Sequence, residues 1–128
     1  MPAAPLQASA VVRAAIEAGR DILVGCSGRR REPAEDDTLA AGLLVERLVR
    51  LGASPGAAAL FALERYEAAR DDLAAALAQT EHGRRLVGLG FADDVAFCGA
   101  LDRYGVAGAL SVEGGRPVLR PVGAAPTR

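Results

Sequence analysis

Ile22 to Cys26 is a short, continuously apolar run between two helical patterns, and it constrains the fold more than any other part of the chain. Residues that are apolar at consecutive rather than alternate positions suit a strand covered on both faces, as in a parallel sheet packed between helices. Such a strand needs neighbours. The only other strand pattern lies at the C-terminal end, where Val106 to Val112 and Val118 to Val122 flank Glu113-Gly114-Gly115-Arg116, a segment whose paired glycines can turn a hairpin. The expectation is an α/β class: a helix-rich, partial α/β/α layer fold with one buried strand and a C-terminal β-hairpin, forming half of a larger domain.

The rest of the chain reads as helix. Ser9 is placed to cap a helix to about Ala18, with Gly19 as its stop. After Gly25-Cys26-Ser27-Gly28, three arginines and Pro33, the acidic cluster Glu35, Asp36, Asp37 opens a long helix to about Leu51. Leu39, Leu43, Leu44, Leu48 and Leu51 form its apolar stripe, and Arg47 and Arg50 near its end complement the macrodipole. Ser54-Pro55 starts a further helical pattern that runs to about Ala78, broken near Arg70 or Asp71. Thr80 caps a short segment, Gly88 and Gly90 punctuate it, and Phe91 to Leu101 is helical again. The chain has 128 residues, the size of one domain, and only 123–128 read as a loose tail.

Composition removes several classes of function. All 15 basic side chains are arginine and the net charge is −1, so there is no general attraction for phosphate backbones or anionic lipid, and nucleic acid is not an expected partner. No stretch approaches the roughly 20 apolar residues of a membrane span, and Met1 to Gln7 lack a basic start and an apolar run, so the expected location is cytoplasmic. Cys26 and Cys98 form no C-x-x-C pair and are expected as reduced, buried thiols.

The polar residues around the apolar run admit two readings each. Asp36 and Asp37 follow the carboxyl end of a candidate strand, where open α/β sheets place ligands, and paired carboxylates suit a hard cation; acidic residues in a first helical turn also serve the helix dipole. Ser27 and Gly28 could let backbone amides approach an anion, or could simply form a tight turn. Arg29, Arg30 and Arg31 could attract an anion or form a solvated face. His82, the one histidine, could donate to a substrate oxygen or act as an acid, or serve only as a cap; Arg84 could hold a phosphate or sulfonate in a forked pair. Asp94 and Asp102 fit a capping or pairing role.

The order of these residues resembles the 2-phosphosulfolactate phosphatase (ComB) family. Ala8-Ser9-Ala10-Val11 and Asp21-Ile22-Leu23-Val24-Gly25-Cys26-Ser27-Gly28 are similar to its N-A-S-A and D-I-x-x-V-C-A-G segments. Asp36-Asp37-Thr38-Leu39-Ala40-Ala41-Gly42 resembles E-D-x-x-x-A-G. The segment from Thr80 to Leu86, with His82, Gly83 and Arg84, is similar to S-x-H-G-R-x-L; Leu89 to Cys98 with the following Asp102 resembles L-G-F-x-x-D-V-x-F-C and its aspartate. Gln7 stands where the family tends to asparagine, Asp36 replaces a glutamate, and Val106-Ala107-Gly108 replaces V-V-P. The family's N-terminal V-I-D-V-L-R-type segments have no counterpart here, so the likeness is to the C-terminal half.

The resemblance implies a magnesium-dependent hydrolase that removes phosphate from 2-phospho-3-sulfolactate, a small phosphorylated anion, on the way to coenzyme M. It implies Asp36 and Asp37 as Mg2+ ligands, Ser27, Gly28, Gly83 and Arg84 as substrate-binding groups, and His82 as the catalytic residue. Phosphoryl transfer needs a hard cation and fixed donors where charge gathers on the phosphoryl oxygens. On the phosphatase expectation the chain is incomplete and a missing N-terminal half supplies much of the active site; the opposing expectation is a noncatalytic remnant or helical interaction domain, associating with itself or a partner through exposed apolar surface, and a truncated gene model is a third.

Overall fold

The computed structural model describes residues 1–29 and 32–122, so Arg30, Arg31 and the tail 123–128 lie outside the described residues. Among the described residues six α-helices run in series: α1 (Ala8–Glu17), α2 (Glu35–Arg50), α3 (Ala57–Glu67), α4 (Leu73–Gln79), α5 (Glu81–Gly88) and α6 (Ala92–Cys98). A hairpin of β1 (Ala107–Glu113) and β2 (Arg116–Val122) follows, and it is the one sheet among the described residues. The class is therefore α/β in the broad sense and helix-rich.

Helix α2 organises the core. Its Leu39, Leu43, Leu44 and Leu48 are buried with Ala8 and Val12 of α1, Tyr66 of α3, Leu73 and Leu77 of α4 and Val95 of α6. The stripe ends one turn earlier than its period suggests: Leu51 is 58% exposed, because it lies past the last helical turn beside Gly52. The Ser54-Pro55 start also moves. Helix α3 begins at Ala57, where Leu60 N–H donates to the Gly56 carbonyl, so Ser54 caps nothing there. The break near Arg70 is a short 3₁₀ turn, Arg70–Asp72, and Asp72 caps α4 by accepting the Ala75 amide at 2.9 Å. The last helix is shorter than its composition suggests, ending at Cys98.

The hairpin matches its sequence pattern. Glu113 pairs with Arg116 across Gly114 and Gly115, both at positive φ, as a two-residue turn requires. This closing pair is the doubly bonded one, so the Val112–Pro117 and Gly108–Pro121 pairs are non-bonded and the proline nitrogens face the outer edge of β2. No ladder bond is lost, and that edge lacks two donors a further strand would need. Ala107 anchors the hairpin by packing on Ala10 and Val11 of α1.

The segment Ile22 to Cys26 corrects the central sequence expectation. It is not a strand and not buried: none of its backbone groups bonds to another backbone segment among the described residues, and Leu23 is 94% exposed. A strand exists only through the ladder beside it, and the one sheet among the described residues is elsewhere. The segment instead borders an open, largely apolar groove of about 960 Å³ whose walls include Val45, Val49, Phe61 and Ala62. The thiols of Cys26 and Cys98 are likewise exposed rather than buried, and both are free.

Candidate functional site

The loop after Cys26 is held at two points. Gly28 takes φ +68°, and a Cβ there would sit 2.6 Å from the Glu32 carbonyl oxygen, so only glycine fits. Arg29 and Glu32 exchange backbone hydrogen bonds at 2.9 and 2.8 Å, closing the turn. The Gly28 amide donates to Asp37 Oδ2 at 2.6 Å. Asp37 thus accepts the backbone donor that the sequence offered to a bound anion, and it ties the loop to the first turn of α2. The Cys26 thiol donates to the Asp37 carbonyl at 3.7 Å, and its pKa is pushed up, first by desolvation and then by the Asp37 charge.

Asp36, one residue earlier, faces another element. Its Oδ2 lies 3.1 Å from Nδ1 of His82 in the first turn of α5, bringing together two residues 46 positions apart. Neighbouring ion pairs brace the same corner: Arg29 to Glu81 at 2.6 Å joins the loop to α5, and Arg65 to Glu35 at 2.6 Å joins α3 to α2. The N-termini of α2 and α5, each favouring negative charge, converge with the Gly28 loop.

Gly83 and Thr80 set the start of α5. Thr80, 2% exposed, accepts the Gly83 amide at 2.9 Å and donates its hydroxyl to the Leu77 carbonyl at 2.8 Å. A Cβ on Gly83 would stand 1.9 Å from that same carbonyl oxygen, so α4 and α5 approach too closely for any side chain. The Gly83 amide is buried in this contact. The exposed Arg84 donates to the Gln79 carbonyl.

Seven residues were singled out by sequence, and the structure gathers them into two linked pairs with flanking groups. Asp36 meets His82 and Asp37 meets Gly28; Ser27 stands beside Gly28 in the loop, Gly83 packs on α4 and Arg84 turns to the α4 terminus. Ser27 and Asp37 also line a depression of about 330 Å³ together with Leu23, Val24 and Ala40. Glu81 and Arg29 belong to the same corner; Glu81 escaped the sequence reading because the two residues are 52 positions apart and no pattern links them. As oxygen donors, Asp36 and Asp37 suit Mg2+ in kind, each keeping Oδ1 free of a hydrogen-bond partner among the described residues. In number they are two, and no group of three or more His, Cys, Asp or Glu side chains placed to hold an ion occurs among the described residues. A hard cation held by two carboxylates completes its shell with water or substrate oxygens.

The family described as 2-phosphosulpholactate phosphatase matches residues 1–111, and the chain belongs to that family. Among its relatives are proteins named probable 2-phosphosulfolactate phosphatase: one from Thermotoga maritima is 35% identical over 106 residues, covering 82% of this chain and 45% of that protein. One from Thermotoga petrophila is 36% identical over 100 residues, covering 77% and 42%, and one from Gloeobacter violaceus 39% over 67 residues, covering 52% and 27%. The chain spans less than half the length of these relatives. No helix among the described residues is long and apolar enough to cross a membrane.

Proposed function

We propose that this chain is part of a larger α/β phosphohydrolase that cleaves the phosphate monoester of 2-phospho-3-sulfolactate, giving 3-sulfolactate and phosphate for coenzyme M synthesis in the cytoplasm. The observation that carries the proposal is the 3.1 Å contact between Asp36 and His82, because it joins the E-D-like and H-G-R-like blocks of the family resemblance at one corner. Family membership and the probable phosphatase names of the relatives support the same reaction class.

In this reading the Asp36 and Asp37 carboxylates would hold Mg2+, which when bound would offset charge on the phosphoryl oxygens. Asp37 keeps the Ser27–Gly28 loop in place through the Gly28 amide. His82 serves proton transfer during the cleavage, and the exposed Arg84, also on α5, swings from the Gln79 carbonyl to the phosphate or sulfonate. Gly83 acts by letting α5 start where it does.

Phosphate release from 2-phospho-3-sulfolactate, measured with and without magnesium for a full-length version of the protein that includes this chain and for its Asp37→Asn variant, tests the proposal. Magnesium-dependent release that the substitution abolishes is expected. Release indifferent to both would remove the metal assignment. Absence of release would favour a second reading, a noncatalytic interaction domain, whose motivating observation is the bare apolar segment around Leu23.

A further inference from the structure

We propose that Asp36 is the positioning residue for His82, fixing the neutral ring with its proton on Nδ1 and leaving Nε2 as the lone-pair nitrogen open to water or substrate. The assignment deepens the phosphatase reading and rests on it for its catalytic consequence, while the tautomer follows from geometry alone.

An ionised carboxylate only accepts hydrogen bonds, so an Asp36 Oδ2 that lies 3.1 Å from His82 Nδ1 requires that nitrogen to carry the hydrogen. Neutral histidine in water favours the opposite tautomer, with hydrogen on Nε2, so the contact reverses the intrinsic preference. The neighbouring carboxylates are engaged elsewhere, which leaves Asp36 Oδ2 to face the ring while its Oδ1 stays available to a cation. Glu81, the adjacent carboxylate on α5, is engaged by Arg29 at 2.6 Å; Glu35 is engaged by Arg65 at 2.6 Å; and Asp37 accepts the Gly28 amide. The Asp36 side chain is 27% exposed and the His82 side chain 48%, which places the carboxylate on the inner side of the pair and leaves part of the imidazole facing solvent.

The consequence for chemistry is a direction of proton flow. With its lone pair outward, neutral His82 takes a proton at Nε2 from a water molecule whose oxygen bonds to phosphorus. The P–O bond to the substrate carbon-bound oxygen breaks, and that oxygen leaves with the bonding pair and is protonated by solvent. The resulting imidazolium is stabilised by Asp36 and returns its proton to water. Asp36 contacts neither water nor ester in this step, and acts through the ring.

Because the chain has one histidine, a long-range ¹H–¹⁵N correlation spectrum of the intact protein, recorded without metal at a pH where the ring is neutral, reads its tautomer without assignment ambiguity. The expected spectrum shows hydrogen on Nδ1 in the wild type and a majority on Nε2 in Asp36→Ala, with Asp36→Glu restoring Nδ1 where its longer carboxylate reaches the ring. A wild-type ring protonated mainly on Nε2 overturns the proposal, and so does an Asp36→Ala spectrum unchanged from wild type. The wild-type spectrum decides even where a variant fails to fold. Failure of phosphate release with the tautomer as expected would count against the phosphatase reading and leave the positioning of His82 standing.

Discussion

Asp102 caps helix α1 from 93 residues away: its Oδ1 accepts the Ser9 amide at 2.7 Å and its Oδ2 the Ser9 hydroxyl at 2.9 Å. Ser9, the cap expected from sequence, lies inside the helix, and the carboxylate of Asp102 replaces it at the positive end of the dipole. Arg47, near the end of α2, donates to the same carboxylate and to the Ser9 hydroxyl, so three elements meet at one charge. Asp102 adopts φ +52° to reach this position.

Asp102→Ala should lower stability by about 1–3 kcal/mol, since it removes a cap and leaves the Arg47 pairing unmade. Chemical denaturation monitored by circular dichroism measures it. Burial raises the Asp102 carboxyl, but the Ser9 amide, the Arg47 guanidinium and the Ser9 hydroxyl together outweigh it and hold the group below its ordinary 3.8. A depressed folded-state value means that the contribution is present above the unfolded-state pKa and is lost as pH falls through the folded-state value. The difference between wild type and variant should therefore be constant near neutrality and shrink below pH 3.8.

Gly83→Ala should destabilise by about 1–3 kcal/mol through overpacking, because the added methyl meets the Leu77 carbonyl at 1.9 Å. The melting temperature reports the loss. Any loss of substrate binding should accompany the change in α5 rather than precede it, as expected of a packing glycine.

Asp37→Ala should release the Ser27–Gly28 loop. A charge-assisted bond to a backbone amide contributes roughly 1.5–3 kcal/mol, so exchange of the Gly28 amide with deuterium should accelerate by about ten- to a hundredfold. Protection of α2 amides beyond the first turn should be unaffected. Equal acceleration throughout α2 would mean that the substitution unfolds the helix.

Leu23→Ser should change stability by no more than about 0.5 kcal/mol, the range for exposed positions, and should reduce any self-association through this segment. A loss of 2–5 kcal/mol, on the order expected for truncating a buried leucine, would restore the buried-strand expectation. Denaturant midpoints and light scattering measure the two effects.

Cys26 should label with a thiol reagent in the native state, because it is exposed, and its rate should still be climbing above pH 9.0, because desolvation and the Asp37 charge raise its pKa from that value. Asp37→Asn removes the second of these influences and should shift the rate profile toward lower pH. Mass spectrometry of alkylated protein gives both rates.

Local rules sufficed wherever a feature depends on neighbours in sequence. The acidic first turn and leucine spacing of α2 gave its span and most of its buried face, the Thr80 cap gave the start of α5, and paired glycines gave the hairpin. Of the residues to which the resemblance gave site roles, the structure pairs Asp36 with His82 and Asp37 with Gly28. The helix start at Ser54-Pro55 was misplaced because a cap signal competes with the backbone path from Gly52, which tertiary contacts set.

From its residues alone, this protein's order of helices, its hairpin, its lack of basic excess and its likeness to a phosphatase family are determined, since each rests on short-range pattern or composition. Tertiary structure alone decided that Ile22 to Cys26 pairs with no strand, that Asp102 rather than Ser9 caps α1, and that Asp36 faces His82 while Asp37 holds Gly28. The physical reason is common to all three: a strand's ladder, a cap from a distant loop and the partner of a carboxylate are relations between segments, and periodicity within one segment carries no information about which other segment comes to meet it.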